Sequence, residues 1–399
     1  MKQSHRLNNV GLINRDKVIK FNFNGKSYQG YEGDTLASAL LANGVHLVGR
    51  SFKYHRPRGF IGAGVDEPNA KLQVTINGHS EPNINATEIE LVDGLSATSQ
   101  NCWPSVEFDI GAINNFLKRF FPAGFYYKTF MWPKSFWYRV YEPFIRKAAG
   151  LGVASLEKDK ERYEHKFEYC DLLVTGSGPS GLASAYAAAK NGAKVILAED
   201  KPRYGGTLLT DDVSIDNMSG KDWSEKIISE LKTMPNVTLK NRSQVFGYYD
   251  HNMMVMFERV GDHLSNKSKY TPRQRLWYIR AKETILSTGS IERPIVFGNN
   301  DTPGVVLSSA AKEYMKVYGV LVGRKPIIFT NNDSAYETAF EFKKNNVEPI
   351  ILDTREEHDS EVVQEAKNKG IQIKFSYGVI VANGYKKVKS AKIGKLTKD

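Results

Sequence analysis

Residues 170–199 read CDLLVTGSGPSGLASAYAAAKNGAKVILAE. A short apolar segment comes first, and a glycine-rich turn and an Ala-rich segment follow it. A second apolar segment, residues 194–198, then leads to Glu199. Short apolar runs bounded by glycine favour buried strands, and the longer Ala-rich segment, ending near Asn191-Gly192, favours a helix. The stretch therefore predicts a βαβ unit whose second strand ends at an acid.

The turn has the spacing G-x-G-x-x-G, formed by Gly176, Gly178 and Gly181. The first glycine permits a tight turn, the second lets a pyrophosphate approach the backbone, and the third lets the helix pack on the strand. The start of the helix offers free N–H groups and a positive dipole end to phosphates. Because a strand, a helix, a returning strand and an acid frame this motif, we predict a bound dinucleotide rather than a βαβ unit that keeps its glycines for packing alone.

The acid and two later segments refine this prediction. Glu199 can accept hydrogen bonds from a ribose diol, which favours NAD or FAD over NADP, although Lys201 and Arg203 leave NADP open. The glycine pair Gly205-Gly206 and a strand over residues 281–286 that leads to Thr288-Gly289 follow in the order found in two-domain flavoproteins. We expect Gly206, Thr288 and Gly289 to lie at the same cofactor.

A second unit of the same kind is predicted near the C-terminus. Residues 325–330 and 349–352 favour strands around a helix, but Asn331, Asp333 and Tyr336 stand where the glycines would be. Bulkier side chains block the close approach of a pyrophosphate. We therefore expect a structural or partner-facing region rather than a second dinucleotide site.

The remaining chain suggests two further regions. Residues 17–95 predict strands at 18–23, 72–76 and 88–92 and a helix that begins at Thr35 and stops at Gly44. This order resembles the β-grasp of plant-type ferredoxins. Residues 100–168 are rich in aromatic residues, for which internal packing and a subunit contact are equally open. These aromatic residues are Trp103, Phe116, Phe120, Phe121, Phe125, Tyr126, Tyr127, Phe130, Trp132, Phe136, Trp137, Tyr138, Tyr141 and Phe144.

The predicted fold class is accordingly α/β with an α+β N-terminal part. A ferredoxin-like β-grasp domain spans residues 1–99 and an aromatic connector spans 100–168. Two Rossmann-like domains follow, at 169–318 and at 319–399, the second with degenerate glycines and truncated.

Composition narrows the function further. The formal charge of +11 comes from scattered basic residues and a lysine-rich end, so we predict a solvated tail or a surface facing an acidic subunit, and no nucleic-acid binding.

The start of the chain has no apolar leader and no run is long enough for a membrane helix, so we expect a cytoplasmic protein outside the membrane. Two distant cysteines predict no disulfide and no metal site. The lysines at the end are Lys386, Lys387, Lys389, Lys392, Lys395 and Lys398.

Several stretches together resemble the alpha subunit of heterotetrameric sarcosine oxidase. The likeness covers essentially the whole chain and includes FTNNDSAY at residues 329–336, an unusual motif. The other stretches are GYEGDTLASAL at 30–40, FKYHRPRG at 52–59, NCWPS at 101–105, the glycine motif and GGT at 205–207.

The resemblance implies a division of cofactors among subunits. Related subunits bind a [2Fe–2S] cluster through cysteines, but Ile61, Asp66 and Asn69 stand at those positions, so no iron–sulfur cluster is expected. NAD, rather than FAD, is expected in the first Rossmann-like domain. FAD and FMN are expected on a partner beta subunit that acts with smaller subunits. The contacts carried over by motif are Ser180, Glu199, Asp200, Lys201 and Thr207.

The implied reaction is the oxidative demethylation of sarcosine to glycine, with peroxide formed and the one-carbon unit passed to tetrahydrofolate. We expect no catalytic residue in this chain and expect it to be a fragment or a split-gene product, because family subunits continue for several hundred residues. Two other classes stay open. One is an autonomous FAD or NAD(P)H oxidoreductase, and the other is a structural, non-catalytic subunit.

Overall fold

The computed structural model describes residues 3–120, 124, 130–148, 150–265 and 267–396. The predicted aromatic positions Phe121, Phe125, Tyr126 and Tyr127, and the predicted tail residue Lys398, lie outside these ranges. The chain forms two compact units, which are described separately. The first unit comprises Met1–Glu157 with Arg293–Asp399, and the second comprises Lys158–Glu292.

The described strands, in chain order, are β1 Asn14–Phe23, β2 Lys26–Glu32, β3 Gly49–Arg50, β4 Pro57–Arg58, β5 Lys71–Ile76, β6 His79–Asn85, β7 Ser96–Ser99, β8 Tyr163–Thr175, β9 Val195–Ala198, β10 Ser214–Ile215, β11 Met218–Ser219, β12 Val237–Lys240, β13 Ser243–Tyr249, β14 Met253–Arg259, β15 Gln274–Leu286, β16 Ile327–Thr330, β17 Ile350–Asp353, β18 Gln372–Phe375, β19 Tyr377–Gly384 and β20 Val388–Lys395. The described α-helices are α1 Leu36–Ala42, α2 Ile113–Phe116, α3 Glu142–Ala148, α4 Pro179–Lys190, α5 Gly220–Thr233, α6 Ser308–Lys316, α7 Tyr336–Lys344 and α8 Glu361–Asn368. Within the described ranges, no helix has the length and apolar character to cross a bilayer.

The N-terminal part of the first unit is a mixed sheet in the order β2-β1-β7-β5-β6. Ile19, Phe21 and Phe23 alternate with exposed residues along β1, so one face of the sheet is buried, as the period of two requires. The helix α1 covers this face with all its residues buried. A capping box formed by Thr35 and Ser38 fixes its first turn, which confirms the predicted helix start.

The predicted strand at residues 88–92 was wrong. This segment makes a single isolated bridge, between Glu90 and Thr35. Its backbone is used elsewhere, because Leu36 donates to the Ile89 carbonyl and Leu91 donates to the Asp34 carbonyl. The segment thus pairs with the start of α1, and the sheet is completed by β7 instead.

The C-terminal part of the first unit has a parallel sheet in the order β16-β17-β18 and an antiparallel hairpin of β19 and β20. The helices α6, α7 and α8 supply a buried cluster that includes Met315, Tyr336, Ala339 and Val363, and Ile351 of β17 joins it. The predicted strands near residues 325 and 349 are confirmed. Three of the predicted tail lysines, Lys389, Lys392 and Lys395, lie in β20, so part of the lysine-rich end is a strand, although its described lysine side chains are exposed.

The second unit contains a six-stranded sheet in the order β12-β9-β8-β15-β14-β13. The first four strands are mutually parallel, and β14 pairs antiparallel with both β15 and β13. The helices α4 and α5 pack on the sheet through Leu182, Ala185, Trp223 and Leu231. The carboxyl ends of β8, β9 and β15 therefore meet at one edge, where ligands bind in open α/β sheets.

Candidate functional site

The glycine turn joins β8 to α4, and two of its glycines are required by close packing. Gly176 has φ +98°, and a Cβ there would lie 2.2 Å from the carbonyl oxygen of Ser287. A Cβ on Gly181 would lie 1.9 Å from the carbonyl oxygen of Gly176. No side chain fits at either position, so these two glycines hold the helix against the end of the sheet.

Gly178 has a different environment. A Cβ placed on it would meet no atom within 4 Å, so open space faces the backbone at the second glycine. It is the N-cap of α4, and Pro179 occupies the first helical position. Because proline has no N–H, the free amide donors of the first turn belong to Ser180 and Gly181. These donors and the positive end of the helix dipole are suited to a diphosphate.

Glu199 follows β9 and reaches back beneath the turn. Its carboxylate accepts the Ser177 amide at 2.9 Å and the Ser177 hydroxyl at 2.5 Å. It also accepts the Lys201 amide at 3.1 Å. The Glu199 residue is 6% exposed. Because its carboxylate accepts both Ser177 donors, the acid and the glycine turn form one hydrogen-bonded assembly.

The environment of Glu199 disfavours its charged form. Burial raises the pKa of Glu199 to about 7, and so do the hydrogen bond that its protonated form donates to Asp200 and the negative charge of Asp200. The Ser177 and Lys201 donors oppose the shift. Asp200 is half-buried, and its backbone carbonyl accepts Arg259 Nη2 at 2.7 Å. Glu199 is therefore a buried acid beside a second acid, an arrangement that favours its protonated form.

The glycine pair after β9 forms the second side of the turn. The Gly205 amide donates to the Ser177 hydroxyl at 3.1 Å. A Cβ on Gly206 would lie 2.9 Å from the Cα of Gly178, so the two glycine segments touch. Thr207 is exposed and begins the next turn. The pair thus adjoins the open space at the second glycine of the motif.

The predicted residues after β15 lie near the same edge. The Ser287 amide donates to the Thr175 carbonyl at 2.8 Å, which carries the parallel pairing of β15 and β8 to the glycine turn. Thr288 and Gly289 come next and are exposed. All the predicted positions therefore fall at or beside one sheet edge.

Ser177 was missed by the sequence prediction. It occupies a variable position of the motif, yet it binds both Glu199 and Gly205. The sequence signal that could have indicated this role is a serine placed between two glycines of the motif. Taken together, the open space at Gly178, the free amides of α4 and the nearby acid fit a dinucleotide.

The corresponding edge of the C-terminal sheet is closed by its own side chains. Tyr336, at the start of α7, donates its hydroxyl to Asp353 at 2.8 Å. Arg355 donates to the same carboxylate through its backbone amide at 2.9 Å and through Nη2 at 2.7 Å. Asp353 is fully buried. The acid that ends the second strand here is therefore already bound within the chain.

The ferredoxin-like loop does not fit a cysteine-bound cluster. Ile61, Asp66 and Asn69 carry no thiol, and the backbone amides of the loop point at a carboxylate instead. Glu67, which is 2% exposed, accepts the amides of Ile61 at 2.6 Å, Gly62 at 2.8 Å, Asn69 at 2.6 Å and Ala70 at 3.1 Å. Burial raises the pKa of Glu67, and the four donors oppose that shift.

Both cysteines are free, and their surroundings disfavour the thiolate form. Burial raises the pKa of Cys102 to about 11 and that of Cys170 to about 12, so both are thiols at neutral pH. Among the described residues, no three His, Cys, Asp or Glu side chains are grouped so that they could hold a metal ion.

Comparisons with known proteins match two families and a solved structure. Residues 16–102 match the family of 2Fe-2S iron-sulfur cluster binding domains, and residues 171–253 match the family of FAD dependent oxidoreductases. The crystal structure of L-proline dehydrogenase from P. horikoshii is similar in fold, with a TM-score of 0.60 and 21% identity, over 99% of this chain and 61% of that one.

Sequence relatives extend the comparison. The sarcosine oxidase subunit alpha of Rhizobium meliloti strain 1021 is 51% identical over 88% of this chain and 36% of its own length. That of Corynebacterium sp. strain U-96 is 32% identical over 93% of this chain and 34% of its own length. The chain spans about a third of the length of these relatives. It is a homologue of sarcosine oxidase alpha subunits over their N-terminal portion, with a ferredoxin-type domain and FAD/NAD(P)-binding Rossmann-like domains.

Proposed function

We propose that this chain is the NAD-binding part of the alpha subunit of an amine-oxidising complex of the sarcosine oxidase type. The observation that carries the proposal is the open space at Gly178, which faces the free amides of Ser180 and Gly181. NAD bound there would place its pyrophosphate on these amides and its adenosine ribose near Glu199 and Asp200. The bound nucleotide would either take part in hydride transfer or serve only to stabilise the fold.

The ribose contact at Glu199 is limited by the acid's existing partners. One carboxylate oxygen already accepts both donors of Ser177, while the other accepts the Lys201 amide, and the side chain is also hydrogen-bonded to Asp200. An oxygen has two lone pairs. We therefore assign the ribose contact to the second oxygen, with Lys201, Gly206, Thr207, Thr288 and Gly289 lining the same cofactor.

In the proposed complex, the chemistry of the substrate takes place on a partner. A beta subunit would carry FAD and FMN and oxidise sarcosine to glycine; the two electrons would pass through flavin to dioxygen, which would be reduced to hydrogen peroxide, and tetrahydrofolate would accept the one-carbon unit. Smaller subunits would complete the assembly. Homology to an alpha subunit supports this division. The loop at Glu67 supports a ferredoxin-like domain without a cluster, and the bond between Tyr336 and Asp353 supports a single dinucleotide site.

We further propose the domain limits 1–99, 100–168, 169–318 and 319–399. The connector would then be the stretch that contacts the beta subunit. Its described aromatic side chains are largely exposed: Trp103 is 68% exposed, Phe116 84%, Trp132 83% and Tyr138 83%. Large exposed apolar patches mark interaction surfaces, which favours the subunit contact over internal packing.

A second candidate function is an autonomous flavoprotein, favoured by the match of residues 171–253 to FAD dependent oxidoreductases. A disulfide-reductase relative is disfavoured, because both thiols have raised pKa values. The visible spectrum of the purified chain separates the candidates. Flavin absorbance in the lone chain favours the flavoprotein, whereas a colourless chain that gives amine-dependent peroxide only with a flavin-bearing subunit favours the alpha-subunit proposal.

The cofactor proposal is tested by filling the open space at the glycine turn. Gly178→Val places a branched side chain where the pyrophosphate would lie, so we expect NAD affinity to fall at least tenfold, measured by isothermal titration calorimetry. Ala183→Val is the matched control, since Ala183 is exposed on the same helix and should leave affinity unchanged. Equal NAD binding by both variants would contradict the proposal, and so would the absence of NAD binding by the unmodified chain.

A further inference from the structure

The first unit contains a cavity of about 620 Å³ that the proposed function does not use. It lies between the start of the ferredoxin-like sheet and the turn of the hairpin formed by β19 and β20. Phe23, Val45 and Leu47 supply apolar surface, and the rings of Tyr28 and Tyr385 supply aromatic walls. The volume is within the range of small-molecule sites, and the lining is of the predominantly apolar kind that such sites have.

Four lysines border this cavity: Lys26, Lys386, Lys387 and Lys389. All four are exposed, and in the part of the chain that the structure describes none of them forms a salt bridge or a side-chain hydrogen bond. Glu107 is the single acid among the described lining residues. The cavity therefore carries an uncompensated positive charge, which focuses anions into a concave site.

The aromatic wall is held in place before any ligand arrives. Arg50, 6% exposed, donates to the Tyr385 hydroxyl at 3.1 Å, and its guanidinium lies 5.6 Å from the ring centroid. Arg50 is itself anchored on the Val106 carbonyl at 2.9 Å. A ring fixed in this way loses little conformational entropy when a ligand stacks on it.

His46 adds a polar group that is neutral. Burial, and then the charges of His5 and Lys387, lower the pKa of His46 to about 4. At neutral pH the imidazole can therefore donate or accept one hydrogen bond without adding to the charge. The lining thus combines apolar and aromatic surface, one neutral imidazole and four ammonium groups.

We propose that this cavity binds a small aromatic molecule that carries two or more anionic groups. The ring system packs between Tyr28 and Tyr385 over the apolar base, and the anionic groups face the four lysines. Lysine binds phosphate and carboxylate alike as a point charge, so the charge and the ring define the ligand class. The anionic group is a carboxylate or a phosphate, and two probes distinguish these.

The test uses the full chain in buffer of low ionic strength, where screening of exposed charges is weakest. Benzene-1,3,5-tricarboxylate is the carboxylate probe and 1-naphthyl phosphate is the phosphate probe. Benzene-1,3,5-tricarboxamide is a neutral isostere of the first, and tripolyphosphate is an anion without a ring. Affinities are measured by isothermal titration calorimetry. We expect at least one aromatic anion to bind more than tenfold tighter than both the neutral isostere and the ring-free anion.

Matched variants locate the site. K386A/K387A removes two ammonium groups from the cavity, and K392A/K395A removes two from exposed positions on the same hairpin outside it. We expect the first variant to weaken binding at least tenfold and the second to change it less than twofold. Binding by one probe alone supports the proposal and identifies the anionic group. Failure of both aromatic anions, or equal loss in the two variants, would overturn it. Neither result bears on NAD binding at Gly178.

Discussion

Glu199 shows how a single side chain can serve both the fold and a ligand. Its carboxylate joins the strand end to the glycine turn through Ser177, and the proposed ribose contact falls on the same side chain. A buried acid beside another acid keeps its proton at higher pH than an exposed one. The protonation of Glu199 therefore links the stability of the turn to pH.

The sign of this dependence follows from the direction of the shift. The pKa of Glu199 is raised from 4.5 to about 7, so the stabilisation is fully present below pH 4.5 and is lost as the pH rises to about 7. A shift of this size corresponds to about 3 kcal/mol. We expect Glu199→Gln, which stays neutral, to abolish most of this loss.

The measurement is the free energy of unfolding of the chain by urea at pH 5 and at pH 8. The unmodified chain should lose stability between these values, and the Glu199→Gln variant should lose less. Glu283→Gln, at an exposed position in β15, is the control and should follow the unmodified chain. Parallel pH profiles in all three proteins would refute the assignment.

At the scale of elements, the loop of residues 59–70 is organised around a carboxylate. Four backbone amides converge on Glu67, two of them from Ile61 and Asn69, the positions that resemblance aligns with cluster-binding cysteines. Amides that converge in this way form an anion-binding concavity. The loop is thus held by the side chain of Glu67.

Glu67→Ala should destabilise the first unit strongly. It leaves four backbone amides without an acceptor, two on the buried residues Gly62 and Ala70 and two on partly buried residues. Each unsatisfied buried group costs about 1–3 kcal/mol, so we expect a loss of several kcal/mol. Hydrogen exchange at the amides of Ile61, Gly62, Asn69 and Ala70 reports the effect locally. Asp66→Ala, which removes the acceptor of the Gly64 amide alone, is the matched control. Similar protection in both variants would show that Glu67 does not organise the loop.

The elements that the sequence predicted best are those with a local signal. The βαβ unit around Gly176 and the capped helix at Thr35 depend on spacing and side-chain chemistry within a few residues, and both were found. The segment at residues 88–92 was misassigned because its backbone bonds go to the distant start of α1. Two features could not be predicted in this way: the backbone amides that converge on Glu67, and the cavity that both Lys26 and Lys387 line. Both depend on packing between segments far apart in the sequence, which local periodicity does not encode.

At the scale of the whole molecule, the described part of the connector leaves an unusual amount of aromatic surface in solvent. Phe116 and Trp132 are 84% and 83% exposed, and no described element covers them. Burying such side chains contributes roughly 1.5–3 kcal/mol each. A surface of this kind is stable in a complex and prone to association when it is alone.

Charged substitutions test whether the connector is the subunit contact. We expect F116D/W132D to abolish co-purification with a flavin-bearing beta subunit, because two buried carboxylates would oppose the interface. F246D/Y248D, a pair in β13 that is 56% and 57% exposed, is the matched control and should co-purify normally. If both pairs co-purify equally, the contact lies elsewhere.

The bond between Tyr336 and Asp353 has an evolutionary consequence. Replacing Tyr336 with glycine would open the turn, but Arg355 would still grip the acid that a ribose needs. Replacing Arg355 alone would leave the tyrosine ring in the way. Nucleotide recognition at this edge would therefore need both side chains to be replaced together, because either one alone keeps the Asp353 carboxylate occupied.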